Sequence, residues 1–334
     1  MKFQKSAVRH SPRIPTIKDV AKKSGVSLGT ASNVLSGKVF VQEGTAEKVR
    51  RAATELGYQK NHSAALLVSR KGTSSTRTGN IGLVFTEMAT PWSEHPLASA
   101  YFIGVESACR ETDFQPLVEF LGGSDAVPRC VRDGRVDGLV VKFTRAGEKF
   151  FLGLPKDLPV VAVGPSGLKV PVHQVSANDE AGGFSVAEYL WSKGHRRIGF
   201  VSTDAAHPMF QLREAGFERF LKNVSAWDPK IVWKEEKSSD ATLPENAPPI
   251  LDEAVVKLFS TAEKPTALVA ANDWIAAGLY RALKKAGLRV GEDVSVVGFD
   301  NTANLCVALE PALTSFQIPF ASLAGRAAEI LLER

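Results

Sequence analysis

The sequence predicts two architectures in one chain: a small all-α unit at the N-terminus, then a larger α/β unit of parallel, helix-covered sheets arranged as two lobes. Three observations carry this. The 334 residues exceed a single domain of roughly 100 to 200. Residues 16 to 58 read as three short helices. From Ile81 onward, β-rich apolar runs alternate with amphipathic helical stretches, the pattern of parallel sheets covered by helices.

In TIKDVAKKSG, residues 16 to 25, Thr16 can cap the N-terminus, Ile17, Val20 and Ala21 share a face, and Gly25 stops the helix. After a tight turn, Ser27 is placed to cap a second helix, Leu28 to Ser36. In it Ala31, Val34 and Leu35 point one way while Gly29, Ser32, Asn33 and Ser36 point the other. A third helix, Thr45 to Leu56, ends at Gly57 and turns Val49, Ala52 and Leu56 toward the same core. Helix, short turn and helix, supported by a third, is an arrangement that presents one helix to a DNA groove.

Residues 61 to 79 start as a short helix-compatible stretch and pass into a Ser/Thr/Gly/Arg linker, a domain boundary. Ten strands follow: NIGLVF, PLVEFL, VDGLVV, LPVVAVG, HQVSAN, RIGFVS, KIVW, TALVAAN, VSVVGFD and SFQIP. Helices are expected over 95–112, 180–194, 208–223, 250–262, 273–286 and 320–333. Ten strands exceed what one such sheet usually holds, which is why two lobes are expected, with a ligand in the crevice at the carboxyl ends of the strands.

Charge separates the two parts. Residues 1–72 carry 14 Lys and Arg against 4 Asp and Glu, or +10, while the remainder carries 27 against 32, or −5. A module that neutralises phosphates needs that excess; a small-molecule sensor does not. Cys109, Cys130 and Cys306 lie far apart without C-x-x-C spacing, so no disulfide framework or zinc site is expected, and neither is a cofactor. No apolar run approaches the ~20 residues that would span a bilayer, and the basic N-terminus has no apolar h-region. The expected location is the cytoplasm.

The run TIKDVAKKSGVSLGTASNVLSGKVFVQEGTAEKVRRAATELGY, residues 16–58, resembles the DNA-binding headpiece of the lactose-repressor and galactose-repressor family. GHRRIGFVS at 194–202, the R-x-x-G-F of Arg213 to Phe217, A-N-D at 271–273, VSVVGFD at 294–300 and PALTSFQIPF at 311–320 keep the family's order. The resemblance implies a homodimer reading a palindromic operator and an effector pocket between lobes that resemble periplasmic sugar-binding proteins. It also implies a division into a basic extension (1–15), headpiece (16–60), hinge helix and linker (61–79) and effector-binding domain (80–334). Within the last, the N-lobe is expected to take about 80–176 and 302–318, and the C-lobe about 177–301 and 319–334. Members usually continue past the helix that here ends AAEILLER with a turn and a β-hairpin; the sequence to Arg334 contains neither.

If the second helix enters the major groove, Leu28, Gly29 and Asn33 face base edges, whereas Ser27, Thr30 and Ser32 suit phosphates. Thr16 and Asn61 join the DNA-facing set. Asn33 stands where members commonly carry Arg; Arg pairs bidentately with guanine and Asn with adenine, so an altered base preference is expected. Residues 61–68 resemble the hinge helix, with Leu67 aligned to the leucine that members wedge into the minor groove; Lys60 replaces a common proline. For the effector, Arg213, Asn272, Asp300 and Phe320 align with family contacts, and Trp92 is a further aromatic candidate. Asp273 is expected to cap the helix it precedes, and Asn178 is unassigned.

The function expected is a DNA-binding regulator, in most cases of this kind a repressor, controlled by a small molecule, with a sugar first and a purine or nucleoside as the alternative. An enzyme is disfavoured: neither G-x-G-x-x-G after a strand nor G-x-x-x-x-G-K-[ST] occurs, and His173, His195 and His207 form no recognisable nucleophile or metal set. A sugar-transport protein would need export, and the chain offers a headpiece in place of a signal peptide.

Overall fold

The computed structural model describes residues 15–36, 41–58, 77–86, 97–122, 126–145, 147–235, 250–260 and 263–333. The chain divides into two compact units, Met1–Thr76 and Arg77–Arg334.

In the first unit α1 is Ile17–Ser24, α2 Leu28–Ser36 and α3 Glu43–Leu56. At the start of α1 the Asp19 carboxylate accepts from both the amide and the hydroxyl of Thr16, each at 2.7 Å. Gly25 then adopts φ 69°, a left-handed conformation that costs a residue with a Cβ, and the chain turns tightly into α2. Val20, Ala21, Ala31, Val49, Ala52 and Ala53 form the core, with Ile17, Val34, Leu35 and Leu56 packed around it. The apolar stripes expected of the three helices therefore meet. Most of the buried positions are Ala or Val, which lets three short helices approach closely.

The second unit holds two five-stranded parallel sheets. The first comprises β1 (Asn80–Phe85), β2 (Gln115–Phe120), β3 (Gly138–Lys142), β4 (Val160–Val163) and β5 (His173–Val175), in the order β2-β1-β3-β4-β5. The second comprises β6 (Ile198–Ser202), β7 (Val232–Lys234), β8 (Ala267–Ala270), β9 (Ser295–Asp300) and β10 (Thr314–Gln317), in the order β7-β6-β8-β9-β10. Each sheet has the same doubly wound order, so each has its strand-order reversal beside its first strand, where such folds open a crevice at the strand carboxyl ends. Helices α4 (Ala98–Cys109), α5 (Arg129–Arg132) and α6 (Glu148–Leu152) serve the first sheet's connections. Helices α7 (Asp179–Ser192), α8 (Pro208–Asn223), α9 (Ile250–Phe259), α10 (Asp273–Lys285) and α11 (Ala303–Ala308) belong to the second half. The last helix, α12, is Phe320–Leu332.

The lobe assignment of the last segment needs correction. Residues 302–318 were expected in the first lobe, but β10 pairs with β9 and so completes the second sheet. Residues 319–334 were expected in the second, but Phe320, Ala324, Ala327, Ala328 and Leu331 of α12 lie in the core of the first sheet. The cause is a close helix crossing: Gly104 of α4 lies so near the Ala321 carbonyl that a Cβ there would overlap it. Local pattern had identified both elements and could not say which sheet each would meet. Among the described residues, no helix is long and apolar enough to cross a membrane.

Candidate DNA-reading helix and effector cleft

The sequence of α2 leaves one side of it for recognition. Its Ala31 is buried, while Leu28 remains 46% exposed, and Gly29 is also exposed. Ser32 and Asn33 follow, both half-buried. The Ser27 hydroxyl accepts from the Thr30 amide at 3.0 Å and shares a hydrogen bond with the Thr30 hydroxyl at 2.9 Å. Both residues thus form the cap, the same place from which they would meet a phosphate. Thr16 is exposed and bound to Asp19. Asn61 and Leu67, assigned from sequence to DNA, lie outside the described residues.

In the second unit, most of the buried polar residues among those described lie at or just after strand ends, as do Thr86, Lys142, Ser202, Asp204, Asn272 and Asp300. Arg213, on the second turn of α8, is 2% exposed. Its guanidinium donates to Asp179 at 2.9 Å, to the Ala271 carbonyl at 2.6 Å and to Asp300 at 3.0 Å, and lies over the Phe299 ring at 4.7 Å. Such burial is tolerated because the guanidinium meets two carboxylates, a backbone carbonyl and an aromatic ring. Burial nevertheless holds the Asp179 carboxyl above its ordinary range, outweighing the pull of Arg213. The close crossing of α7 and α8 fixes this geometry: a Cβ on Gly183 would overlap the Arg213 carbonyl, and one on Gly216 the Glu180 carbonyl.

Three of the sequence-assigned effector residues converge here. Asp300 holds Arg213 directly, from a backbone with φ 99°. Asn272 follows the carbonyl that Arg213 binds, but its own Oδ1 caps α10 by accepting from Ile275 at 2.8 Å. The cap is therefore Asn272 and not Asp273, because Asp273 is already the first helical residue. Asp273 instead accepts from the Thr302 amide and the Ser315 hydroxyl, each at 2.6 Å, and ties α10 to α11 and β10. Asn178 caps α7 through the Ala181 amide. Phe320 is buried in the first lobe, its ring 5.6 Å from that of Tyr101. Trp92 lies outside the described residues.

Sequence reasoning missed a group on the facing strand ends. Tyr101 of α4 has its phenol pushed up by burial and then by the nearby Asp300 and Asp179 carboxylates, so it faces the Arg213 cluster from the other lobe. Lys142, the last residue of β3, is buried, and its ammonium donates to the Thr144 hydroxyl at 2.6 Å. Arg145 forms an ion pair with Asp204, which follows β6, so the pair links the strand ends of the two lobes. His207, the residue before α8, stacks on Phe210 at 3.9 Å, and its Nδ1 is buried with no hydrogen-bond partner. Burial first, then the charges of Lys142, Arg213 and Arg145, push its pKa down to about 3. Two signals were available in the sequence: Lys142 directly after the apolar run VDGLVV with Arg145 three residues on, and TDAAHP directly after RIGFVS.

Residues 16–61 match the family described as bacterial regulatory proteins, lacI family, and residues 187–334 match a periplasmic binding protein-like domain. The chain is 32% identical to the HTH-type transcriptional repressor PurR of Vibrio vulnificus, over 96% of this chain and 91% of that one. It is 29% identical to the ribose operon repressor of Haemophilus influenzae, over 96% and 91%. Among solved structures, the Lac repressor dimer bound to operator and the anti-inducer ONPF is similar with a TM-score of 0.73 at 25% identity, covering 96% of this chain and 92% of that one. The complex of the transcriptional regulator CelR with cellobiose is similar with a TM-score of 0.65 at 26% identity, covering 96% and 93%.

Proposed function

Because the chain belongs to the lacI family of bacterial regulatory proteins, we propose that it represses transcription by reading an operator with α2 and releasing or holding it according to the ligand between its two lobes. Members of this family are regulators and not enzymes. One observation supports the reading above others: Leu28, Gly29 and Asn33 lie on the side of α2 left over when Ala31, Val34 and Leu35 enter the headpiece core. Leu28, Gly29 and Asn33 are assigned to bases, and Ser27, Thr30 and Ser32, with Thr16, to the phosphate side. The protein acts as a homodimer on a palindromic site in the cytoplasm, and we assign α4, on which Ile103 is exposed, to the dimer contact.

The effector is a small polar molecule held by Arg213, Asp300 and Asn272, with Tyr101 and Phe320 beneath its apolar face. A sugar is the first reading, supported by the hydroxyl-matching chemistry of carboxylate, amide and guanidinium. A purine is the second, favoured by the several similar relatives that carry the PurR name. Ligand binding would alter lobe closure and thereby the operator-competent population. Operator selection with the purified intact protein, repeated with a sugar and nucleobase panel, tests both. A selected sequence whose binding responds to a neutral or acidic sugar is the expected result, and a response confined to purines would transfer the assignment.

A further inference from the structure

Among the described residues, the non-glycine positions with a positive φ are Ser225, Asp300 and Asn301, and the last two are consecutive, at 99° and 53°. A residue with a Cβ adopts such a backbone at a cost, and keeps it only where its surroundings hold it. The strain falls at the end of β9, on the residue whose carboxylate binds Arg213. A relay of hydrogen bonds holds it there. The Asn301 amide donates to the Ser315 hydroxyl at 2.9 Å, and that hydroxyl donates to Asp273 Oδ1 at 2.6 Å. Asp273 Oδ2 accepts from the Thr302 amide at 2.6 Å and from the Cys306 thiol at 3.5 Å.

The fold makes room for this relay at some expense. Asp273 is fully buried, and its hydrogen-bond donors among the described residues are all neutral. Burying a carboxylate in that way is costly, and the start of α10 does not require it, because Asn272 already caps the helix. An asparagine would fill the same space but turn one acceptor into a donor, facing groups that themselves donate. Ser315 stands opposite Gly298 in the β9–β10 register, and a Cβ on Gly298 would overlap the Asp273 carboxylate.

We propose that Asp273 and Ser315 are positioning residues of the effector site, holding residues 300–302 in the left-handed turn that aims the Asp300 carboxylate at Arg213. The inference rests on the effector-controlled reading above, which assigns Asp300 and Arg213 to the ligand. Without the relay the turn relaxes to negative φ, the Asp300 carboxylate leaves the guanidinium, and a ligand meets a misaligned pair.

The test reads the aim of Asp300 directly, by urea unfolding of the intact protein. Asp300→Asn removes the charge-assisted hydrogen bond to Arg213 and should raise the unfolding constant of the otherwise wild-type protein about tenfold. In a Ser315→Ala or an Asp273→Asn background the same substitution should raise it less than about threefold, because the two groups no longer meet. Ser315→Thr keeps the hydroxyl and should retain the full effect. Asn301→Gly added to Ser315→Ala should restore most of it, since glycine takes a positive φ without support; a general loosening of the lobe would not be repaired at this one residue. If Asp273→Asn does not fold, Ser315→Ala, which removes a single hydroxyl, carries the comparison. An equal effect of Asp300→Asn in every background, Ser315→Thr and Ser315→Ala behaving alike, or no recovery with Asn301→Gly would overturn the proposal. Operator selection reads the regulator assignment separately: a protein that selects a duplex without this coupling refutes only the inference, and one that shows the coupling but selects no duplex refutes only the regulator.

Discussion

Replacing Arg213 by methionine keeps the volume of its stem and removes the charge that two buried carboxylates share. Arg213 is 2% exposed, and Asp179 and Asp300 sit 2.9 and 3.0 Å from its nitrogens, so neither can turn to water when it is lost. Breaking a buried ion network in this way costs about 3–5 kcal/mol. In a domain of this size that corresponds to a fall of roughly 10 °C or more in Tm. The deficit must depend on pH. Asp179 already has a raised folded pKa, because burial outweighs Arg213, and removing the guanidinium raises it further. A carboxyl with a raised folded pKa binds its proton more readily in the folded state, so stability falls as pH rises through that value and is recovered below it. The deficit of Arg213→Met is therefore largest at pH 7.5 and narrows as pH falls toward 5. Urea unfolding of wild type and variant at several pH values, followed by tryptophan fluorescence, measures this. A deficit under about 1 kcal/mol at pH 7.5, or one that stays constant with pH, would refute the account of this cluster.

Three further outcomes are expected. His207 has a folded pKa near 3, far below its ordinary value, so the folded state resists the proton that the unfolded chain accepts; stability drops by about 1 kcal/mol per pH unit below pH 6.5, and His207→Phe should remove that slope in the same urea series, whereas an unchanged slope places the proton elsewhere. Gly216→Ala drives a methyl group into the Glu180 carbonyl and should destabilise the second unit by about 3 kcal/mol, the upper end of overpacking; a loss below about 1 kcal/mol would mean the α7–α8 crossing yields easily. Asn33→Arg should move the preferred base at one operator position toward guanine in site selection, and an identical selected sequence would remove Asn33 from base reading.

Legibility in the sequence followed the range of the interaction. Helix α8 spans Pro208–Asn223 as expected, because Pro208 at its first position and the apolar spacing of Phe210, Phe217 and Leu221 are local. All ten strands were identifiable from β-rich apolar runs. The ends of β7 were not, since Pro229–Ile231 forms a 3-10 turn before the strand. The exchange of β10 and α12 between lobes rests on contacts across more than 200 residues, such as Gly104 with Ala321, which no local pattern encodes. Within the cleft, Arg213 and Asp300 were found by resemblance, and the structure adds that they bind each other. Lys142, His207 and Tyr101 were missed because each sits in an element that reads as ordinary core or loop. Only the approach of one lobe's strand ends to the other's makes them neighbours.

The central claim, that the outward side of α2 reads base edges under control of the cleft, is tested most directly by competing a selected duplex against random DNA for the intact protein while salt is varied. The account predicts a persistent preference for the selected duplex at moderate ionic strength, with both affinities falling steeply with salt as Lys and Arg release phosphate counterions. Equal binding of selected and random duplexes at every salt concentration, with and without ligand, would contradict it.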